Sequence, residues 1–88
     1  MPASSEAEIV LPPDVDLHAR PAAEFVRAAM RFDARIVVAT PEREVDAKSL
    51  LSVLSLGAKR GTTLRLRAEG GDAVDAVDVL RTCVAAFQ

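Results

Sequence analysis

The residues with the most evident chemistry lie close together, in the segment Leu17-His18-Ala19-Arg20-Pro21. His18 is the only histidine of the chain, and a neutral imidazole is a good nucleophile near pH 7. Arg20 adds a guanidinium that is always charged and whose planar fork matches phosphate oxygens. Together these two side chains suit a histidine that accepts a phosphoryl group and passes it on.

The same segment lies where a loop is predicted to become a helix. The first turn of a helix has unpaired backbone N–H groups and a partial positive charge. An anion held there gains about 0.3–1 kcal/mol from the dipole at an exposed site. One histidine beside one arginine is nevertheless a weak signal, and on local grounds alone a solvent-facing or core histidine without a chemical role stays an open alternative.

Composition excludes several classes of function. The chain has 88 residues, 11 basic against 13 acidic, and no tryptophan or tyrosine, so a base-stacking nucleic-acid groove is not expected. A single cysteine, Cys83, excludes an internal disulfide and, with one histidine, a zinc site of the usual kind. No apolar run approaches the roughly 20 residues of a membrane span, and the start lacks a secretory pattern. We therefore expect a cytoplasmic protein without membrane or nucleic-acid partner, metal or cofactor.

The spacing of apolar residues predicts seven elements in the order βαββαβα. Helices are predicted over residues 18–31, 49–54 and 73–87, with apolar positions three and four apart, including Met30 in the first. Strands are predicted over residues 6–11, 35–40, 43–46 and 62–69, the last with a strict period of two that leaves Arg65 and Arg67 in solvent. Ser49 and Asp72 are placed to cap the second and third helices. Residues 1–5 are expected to be frayed.

These amphipathic elements predict how the chain packs. Each strand has one apolar face and each helix has one apolar stripe. The simple solution is a four-stranded antiparallel sheet with three helices packed on one face, which is an α+β open-faced β-sandwich. We expect residues 1–88 to form this single domain, with Cys83 as a small core residue of the last helix and with the inner stripe Ala73, Val77, Leu80, Val84 and Phe87.

Two separated motifs resemble one known family. Residues 17–23 (LHARPAA) resemble the phosphorylation-site signature of the HPr family, the histidine-containing phosphocarriers of the bacterial sugar phosphotransferase system. Residues 47–57 (AKSLLSVLSLG) resemble the family's regulatory-serine helix. A glycine and threonine before the last strand, and a closing amphipathic helix, continue the pattern. The resemblance covers about residues 6–87 and implies the same fold.

The resemblance also implies a role for particular residues. His18 would carry the phosphoryl group on Nδ1, and Arg20 would pair with the phosphate. The backbone N–H groups of Ala19 and Arg20 would donate to its oxygens, and Pro21 would fix the helix start. Ser49 would be a second phosphorylation site, modified by an ATP-dependent kinase. The alternative for Ser49 is a capping role alone, worth about 0.5–2 kcal/mol.

A partner surface is implied beside the histidine. The resemblance places an apolar docking patch on the second helix, with Arg27 at its rim: Leu50, Leu51 and Leu54. In a short helix with Val53 and Leu56 turned inward, these three leucines cannot all be buried, and an apolar patch near a reactive side chain marks a partner site. The alternative is that all of them pack in the core.

The implied activity is that of a carrier and not of an enzyme with its own substrate. A monomer would receive phosphate from enzyme I and pass it to a sugar-specific enzyme IIA, with HPr kinase/phosphorylase and a transcriptional regulator as further partners. Alternatives are a regulatory relative that acts through Ser49 or partner binding, and a carrier in a nitrogen-related or dihydroxyacetone-kinase phosphorelay. A small enzyme such as an acylphosphatase is not favoured, because the sequence has no glycine-rich phosphate loop with an arginine.

Several positions depart from the family pattern. Asp16 stands where the family usually has glycine. Aspartate tolerates positive φ better than most residues, but its charge two positions from His18 would repel a phosphoryl group. We therefore expect slower or weaker phosphorylation than with glycine. Pro41-Glu42 replaces a glycine-containing turn and should alter the hairpin only. Three positions on the docking side bear on partner preference: Glu24, Met30 and Ser52.

Overall fold

The computed structural model describes residues 3–87 and has the predicted order βαββαβα. Four strands form one antiparallel sheet in the spatial order β1-β4-β2-β3, and the helices cover one of its faces. The predicted open-faced β-sandwich is confirmed. The elements are β1 (Ser4–Val10), α1 (Ala19–Ala29), β2 (Arg35–Ala39), β3 (Glu44–Asp46), α2 (Leu50–Ser55), β4 (Thr63–Glu69) and α3 (Ala73–Ala85).

Strand β4 lies inside the sheet, between β1 and β2, and shows the predicted alternation. Leu64, Leu66 and Ala68 point toward the helices and are fully buried. Arg65 and Arg67 point to the open face and are exposed. Their neighbours on β1 are acidic, so that opposite charges stand side by side on this face.

The core lies between the sheet and the helices. Phe25 of α1 is its largest fully buried side chain. The predicted inner stripe of α3 is confirmed, since all five residues are buried: Ala73, Val77, Leu80, Val84 and Phe87. Cys83 is only partly buried, and this burial, followed by the charge of Glu24, raises the pKa of its thiol. No helix within residues 3–87 is long and apolar enough to cross a membrane.

Two boundary predictions were wrong. Strand β1 begins at Ser4, so Ser4 and Ser5 pair with β4 and are not frayed. The Gly70 N–H group extends this pairing by donating to the Ala3 carbonyl at 2.8 Å. Helix α1 ends at Ala29, and Met30 is therefore a C-cap residue with 64% exposure and does not belong to the buried stripe. Residues 1 and 2 of the expected frayed end lie outside the described part of the chain.

Asp72 does not cap α3 with its side chain, contrary to prediction. Its carboxylate accepts the N–H groups of Asp33 at 2.9 Å and Ala34 at 2.8 Å, in the loop between α1 and β2. The backbone of Asp72 has ψ 23°, whereas a capping residue is usually extended, and the nearby loop offers two N–H groups that need acceptors. The same loop is held by Lys48, whose Nζ donates to the Phe32 carbonyl at 2.6 Å.

Replacing Asp72 tests this link. We expect Asp72→Ala to lower the free energy of unfolding by about 1–3 kcal/mol, because two N–H groups lose a charged acceptor. Asp75→Ala, in the first turn of α3, is the matched control and should cost only the dipole contribution of about 0.3–1 kcal/mol. Urea denaturation of the two variants checks the difference. An Asp72→Ala loss no larger than that of Asp75→Ala would contradict the assignment.

Candidate functional site

His18 is the residue at which α1 begins. Its backbone is extended, with φ −106° and ψ −160°, and its carbonyl accepts the Ala22 N–H group at 2.8 Å. The residue is exposed, and its imidazole makes no capping hydrogen bond within residues 3–87. The backbone of His18 therefore takes part in the helix start, whereas its exposed side chain takes no part in capping the helix.

The first turn of α1 adds hydrogen-bond donors around this side chain. Ala19 and Arg20 are the first two helical residues, where N–H groups have no intrahelical acceptor. Pro21 follows within the same turn, where a missing N–H group costs nothing. His18, Ala19 and Arg20 are all exposed. The exposed start of α1 thus bears an imidazole, a guanidinium, two N–H groups without intrahelical acceptors and the positive end of the helix dipole.

The loop that carries His18 is fastened to the loop between α2 and β4. The N–H group of Leu11 donates to the Thr62 carbonyl at 2.9 Å, and that of Gly61 donates to the Leu11 carbonyl at 3.1 Å. Nearer the histidine, the Leu17 N–H group donates to the Ala58 carbonyl at 2.9 Å. Leu11 and Leu17 are also buried. Hydrogen bonds at the start of the loop and next to His18 therefore fix where His18 lies.

Asp16 adds a contact that local sequence patterns did not reveal. Its Oδ1 atom accepts the Arg60 N–H group at 2.7 Å and lies 3.9 Å from the Arg60 Nε atom. The hydrogen bond from the Arg60 backbone, followed by the charges of Arg60, Lys59 and His18, lowers the pKa of Asp16, although burial opposes the shift. Arg60 is 44 residues away in the chain, so no short-range signal could have found this pair.

The backbone at Asp16 does not have the conformation that the comparison with glycine suggested. Positive φ values within residues 3–87 occur only at Gly57, Gly61 and Gly70. Asp16 therefore has an ordinary negative φ, and an L-residue fits this position without strain. What distinguishes Asp16 from a glycine here is its carboxylate.

Helix α2 carries the second set of predicted site residues. Ser49 is its N-cap and accepts the Ser52 N–H group at its Oγ atom over 3.3 Å, which confirms the predicted cap. Leu51 is 80% exposed and Leu50 is 41% exposed, whereas Leu54 is partly buried against the core. The three leucines are thus not all packed in the core, and Leu51 is the most prominent of them.

The orientation of α2 relates these residues to His18. The helix begins beside the end of α1, where Lys48 contacts the Phe32 carbonyl, and ends in the loop whose Ala58 holds Leu17. Helices α1 and α2 are in contact, and Arg27 is exposed on α1. Ser49 is accordingly at the end of α2 away from the His18 loop, and the leucines lie along the helix between the two phosphorylation candidates.

Two further features concern the charge of Glu24 and the capacity of the site to bind a metal ion. After burial, the negative charge of Glu24 is the second cause that raises the pKa of the Cys83 thiol of α3. Among residues 3–87 there is no group of three or more histidine, cysteine, aspartate or glutamate side chains that could hold a metal ion.

Comparison with known proteins identifies the family. Residues 5–86 match the family described as "PTS HPr component phosphorylation site". The chain belongs to the HPr family. It is 40% identical over 75 residues to the phosphocarrier protein HPr of Vibrio cholerae, a match that covers 85% of this chain and 88% of that protein.

Solved HPr structures have the same fold. HPr-C-His from Thermoanaerobacter tengcongensis has a TM-score of 0.89 at 36% identity and covers 93% of this chain and 92% of its own. HPr from Bacillus anthracis has a TM-score of 0.88 at 34% identity, with coverages of 93% and 98%. The interpretation of the sequence as a phosphocarrier of the HPr type is therefore confirmed.

Proposed function

We propose that His18 accepts a phosphoryl group from a phosphohistidine on enzyme I and donates it to a histidine on a sugar-specific enzyme IIA. The observation that carries this proposal is the exposed imidazole at the start of α1, unused by the fold and flanked by Arg20 and by unpaired N–H groups. Membership in the HPr family supports it.

The transfer is a single displacement at phosphorus. The unprotonated Nδ1 atom of His18 forms a bond to phosphorus while the bond between phosphorus and the donor nitrogen breaks, and that nitrogen keeps the electron pair. The proton on Nε2 stays in place. The Arg20 guanidinium and the N–H groups of Ala19 and Arg20 stabilise the oxygens of the phosphoryl group. Because the N–H groups are fixed in a helix, they need little reorganisation during transfer.

The docking patch is proposed to be the surface that both partners recognise. It consists of Leu50, Leu51 and Leu54, with Arg27 on the neighbouring helix. A carrier has to leave each partner quickly, so a small apolar patch with a few positive charges at its rim suits it better than a large interface. The complementary surface on enzyme I and enzyme IIA would be apolar with acidic groups around it.

Phosphoryl transfer can be tested directly by intact-mass spectrometry after incubation with enzyme I, phosphoenolpyruvate and Mg²⁺. We expect one acid-labile phosphoryl adduct in the wild type and none in His18→Ala. Arg20→Ala should slow transfer about 10- to 100-fold, since a charge-assisted hydrogen bond contributes about 1.5–3 kcal/mol. Arg31→Ala, an exposed arginine near the other end of α1, is the matched control and should be unaffected.

A wild type that stays unmodified both with enzyme I that is active on another HPr and with the donors of the nitrogen-related and dihydroxyacetone-kinase relays would refute the carrier function. If enzyme I from the sugar system fails but the donor of a nitrogen-related or dihydroxyacetone-kinase relay succeeds, the chemistry stands and the partner assignment changes.

Leu51 provides the sharpest test of the docking patch. Its side chain is mostly exposed, so Leu51→Ala should leave the thermal midpoint unchanged. We expect it to raise KM for enzyme I about 5- to 30-fold with kcat retained, because truncating a central interface residue costs about 1–2 kcal/mol. Val74→Ala, at an exposed apolar residue of α3, is the control and should not change KM. Equal effects of the two variants would refute the patch.

We propose regulation through Ser49 as a second function. A phosphate on Ser49 would add about 1.5–2 negative charges at the end of α2, beside the leucines, and would weaken binding to an acidic partner. The position of Ser49 as an N-cap supports this, because a phosphate at a helix start need not unfold the helix. HPr kinase/phosphorylase would phosphorylate Ser49, and a transcriptional regulator would bind the phosphorylated form.

The Ser49 proposal is tested with an HPr kinase and ATP. We expect an acid-stable phosphate in the wild type and in His18→Ala, and none in Ser49→Ala. Transfer from enzyme I to the Ser49-phosphorylated protein should then be slower than to the unmodified one. Phosphate that is found on Ser52 or Ser55 of the same helix would assign the site to another serine.

A further inference from the structure

The Asp16 carboxylate links two loops at the candidate phosphorylation site. Its Oδ1 atom receives the Arg60 N–H group at 2.7 Å, and its backbone carbonyl receives the His18 N–H group at 2.9 Å. Between them, the Leu17 N–H group donates to Ala58. Three consecutive residues, ending at His18, are thus held by hydrogen bonds, and one of these depends on the side chain of Asp16.

The same carboxylate creates an electrostatic problem for phosphoryl transfer. It is an anion two residues before the group that receives a phosphoryl dianion, and like charges in proximity repel each other. Two cations offset this negative charge. The Arg60 Nε atom lies 3.9 Å from the Asp16 Oδ1 atom, and the charge of Lys59 also favours the ionised form of Asp16. Asp16 therefore stays ionised at neutral pH with its charge directed toward Arg60.

We propose that Asp16 is a positioning residue for His18 and that Arg60 supplies the counter-charge that makes an acidic residue acceptable there. This inference rests on the proposed function. A glycine at the same position would provide neither the hydrogen bond to Arg60 nor the negative charge. In this chain the α2–β4 loop is consequently part of the phosphorylation site, since its Arg60 both fixes the His18 loop and balances the charge next to it.

Three variants separate the hydrogen bond from the charge. Asp16→Asn keeps an oxygen that accepts the Arg60 N–H group but removes the charge. Asp16→Gly removes both. Arg60→Met keeps the backbone N–H group and removes the guanidinium, which leaves the carboxylate without its main counter-charge.

The test is a double-mutant cycle on kcat/KM for transfer from enzyme I. We expect Arg60→Met to lower kcat/KM about 3- to 10-fold, a typical coupling between neighbouring charged groups. Addition of Asp16→Asn to Arg60→Met should restore kcat/KM to within about twofold of the wild type, as expected if the charges are coupled. Asp14→Asn is the matched control, because it changes the net charge of the same loop equally at an exposed residue. It should not rescue Arg60→Met.

A second readout needs no partner protein. The Arg60 amide proton, followed by NMR, should report its bond to the carboxylate at neutral pH and shift as the pH falls below the ordinary aspartate pKa of about 3.9. The direction follows from the lowered pKa of Asp16, since the ionised form that makes the bond persists down to the folded-state value and is lost below it. Asp16→Gly should abolish the bond, and Asp16→Asn should retain it without the titration.

The outcomes distinguish this inference from the proposed function. If the wild type accepts phosphate but Arg60→Met is not slowed, or is rescued equally well by Asp14→Asn, Asp16 and Arg60 have no joint role in transfer. An Arg60 amide that shifts identically with pH in the wild type and in Asp16→Gly would also overturn the proposal. A wild type that is phosphorylated neither by active enzyme I nor by the donor of another phosphorelay refutes the carrier function itself.

Discussion

The hydrogen bonds between the loop before α1 and the loop before β4 determine where His18 lies. Leu11, Leu17 and the Asp16 side chain each take part, and their partners are all within residues 58–62. These loops are about 45 residues apart in sequence, and the pairing of β1 with β4 brings their ends together. The start of α1 is thereby fixed against the sheet, and a helix start that does not move can hold its N–H groups ready for an anion.

The rest of the fold supports this arrangement and leaves the site on the surface. Strand β4 pairs with β1 on one side and β2 on the other, and its apolar residues contribute to the sheet side of the core. Helix α1 rests on the neighbouring helices through Phe25 and other buried residues, while its first two residues stay exposed. For the proposed transfer, this support would let one histidine fit two partner proteins in turn with little backbone change.

Local patterns were sufficient for most of the architecture. Alternation in β4 and the three-and-four spacing in α3 correspond to buried faces that the structure confirms, since periodicity reflects which side of an element meets the core. Met30 was misassigned because apolar spacing does not show where a helix ends. The cap predicted for Asp72 was wrong, and the Arg60 partner of Asp16 was not predicted, because the partners of these two carboxylates are 38 to 44 residues away. Within the candidate site, the place of His18 and Arg20 at the start of α1 could be predicted from sequence, whereas the contact between Asp16 and Arg60 depends on tertiary structure.

The acidic residues of β1 have a consequence for the colloidal behaviour of the protein. Strand β1 is an outer strand of the sheet, and its exposed side chains include Glu6 and Glu8. If a second copy paired antiparallel with this strand about Ala7, each Glu6 would face the Glu8 of the other molecule. Such carboxylate repulsion discourages sheets from growing by addition of strands. Strand addition at the β1 edge in this register is thus disfavoured.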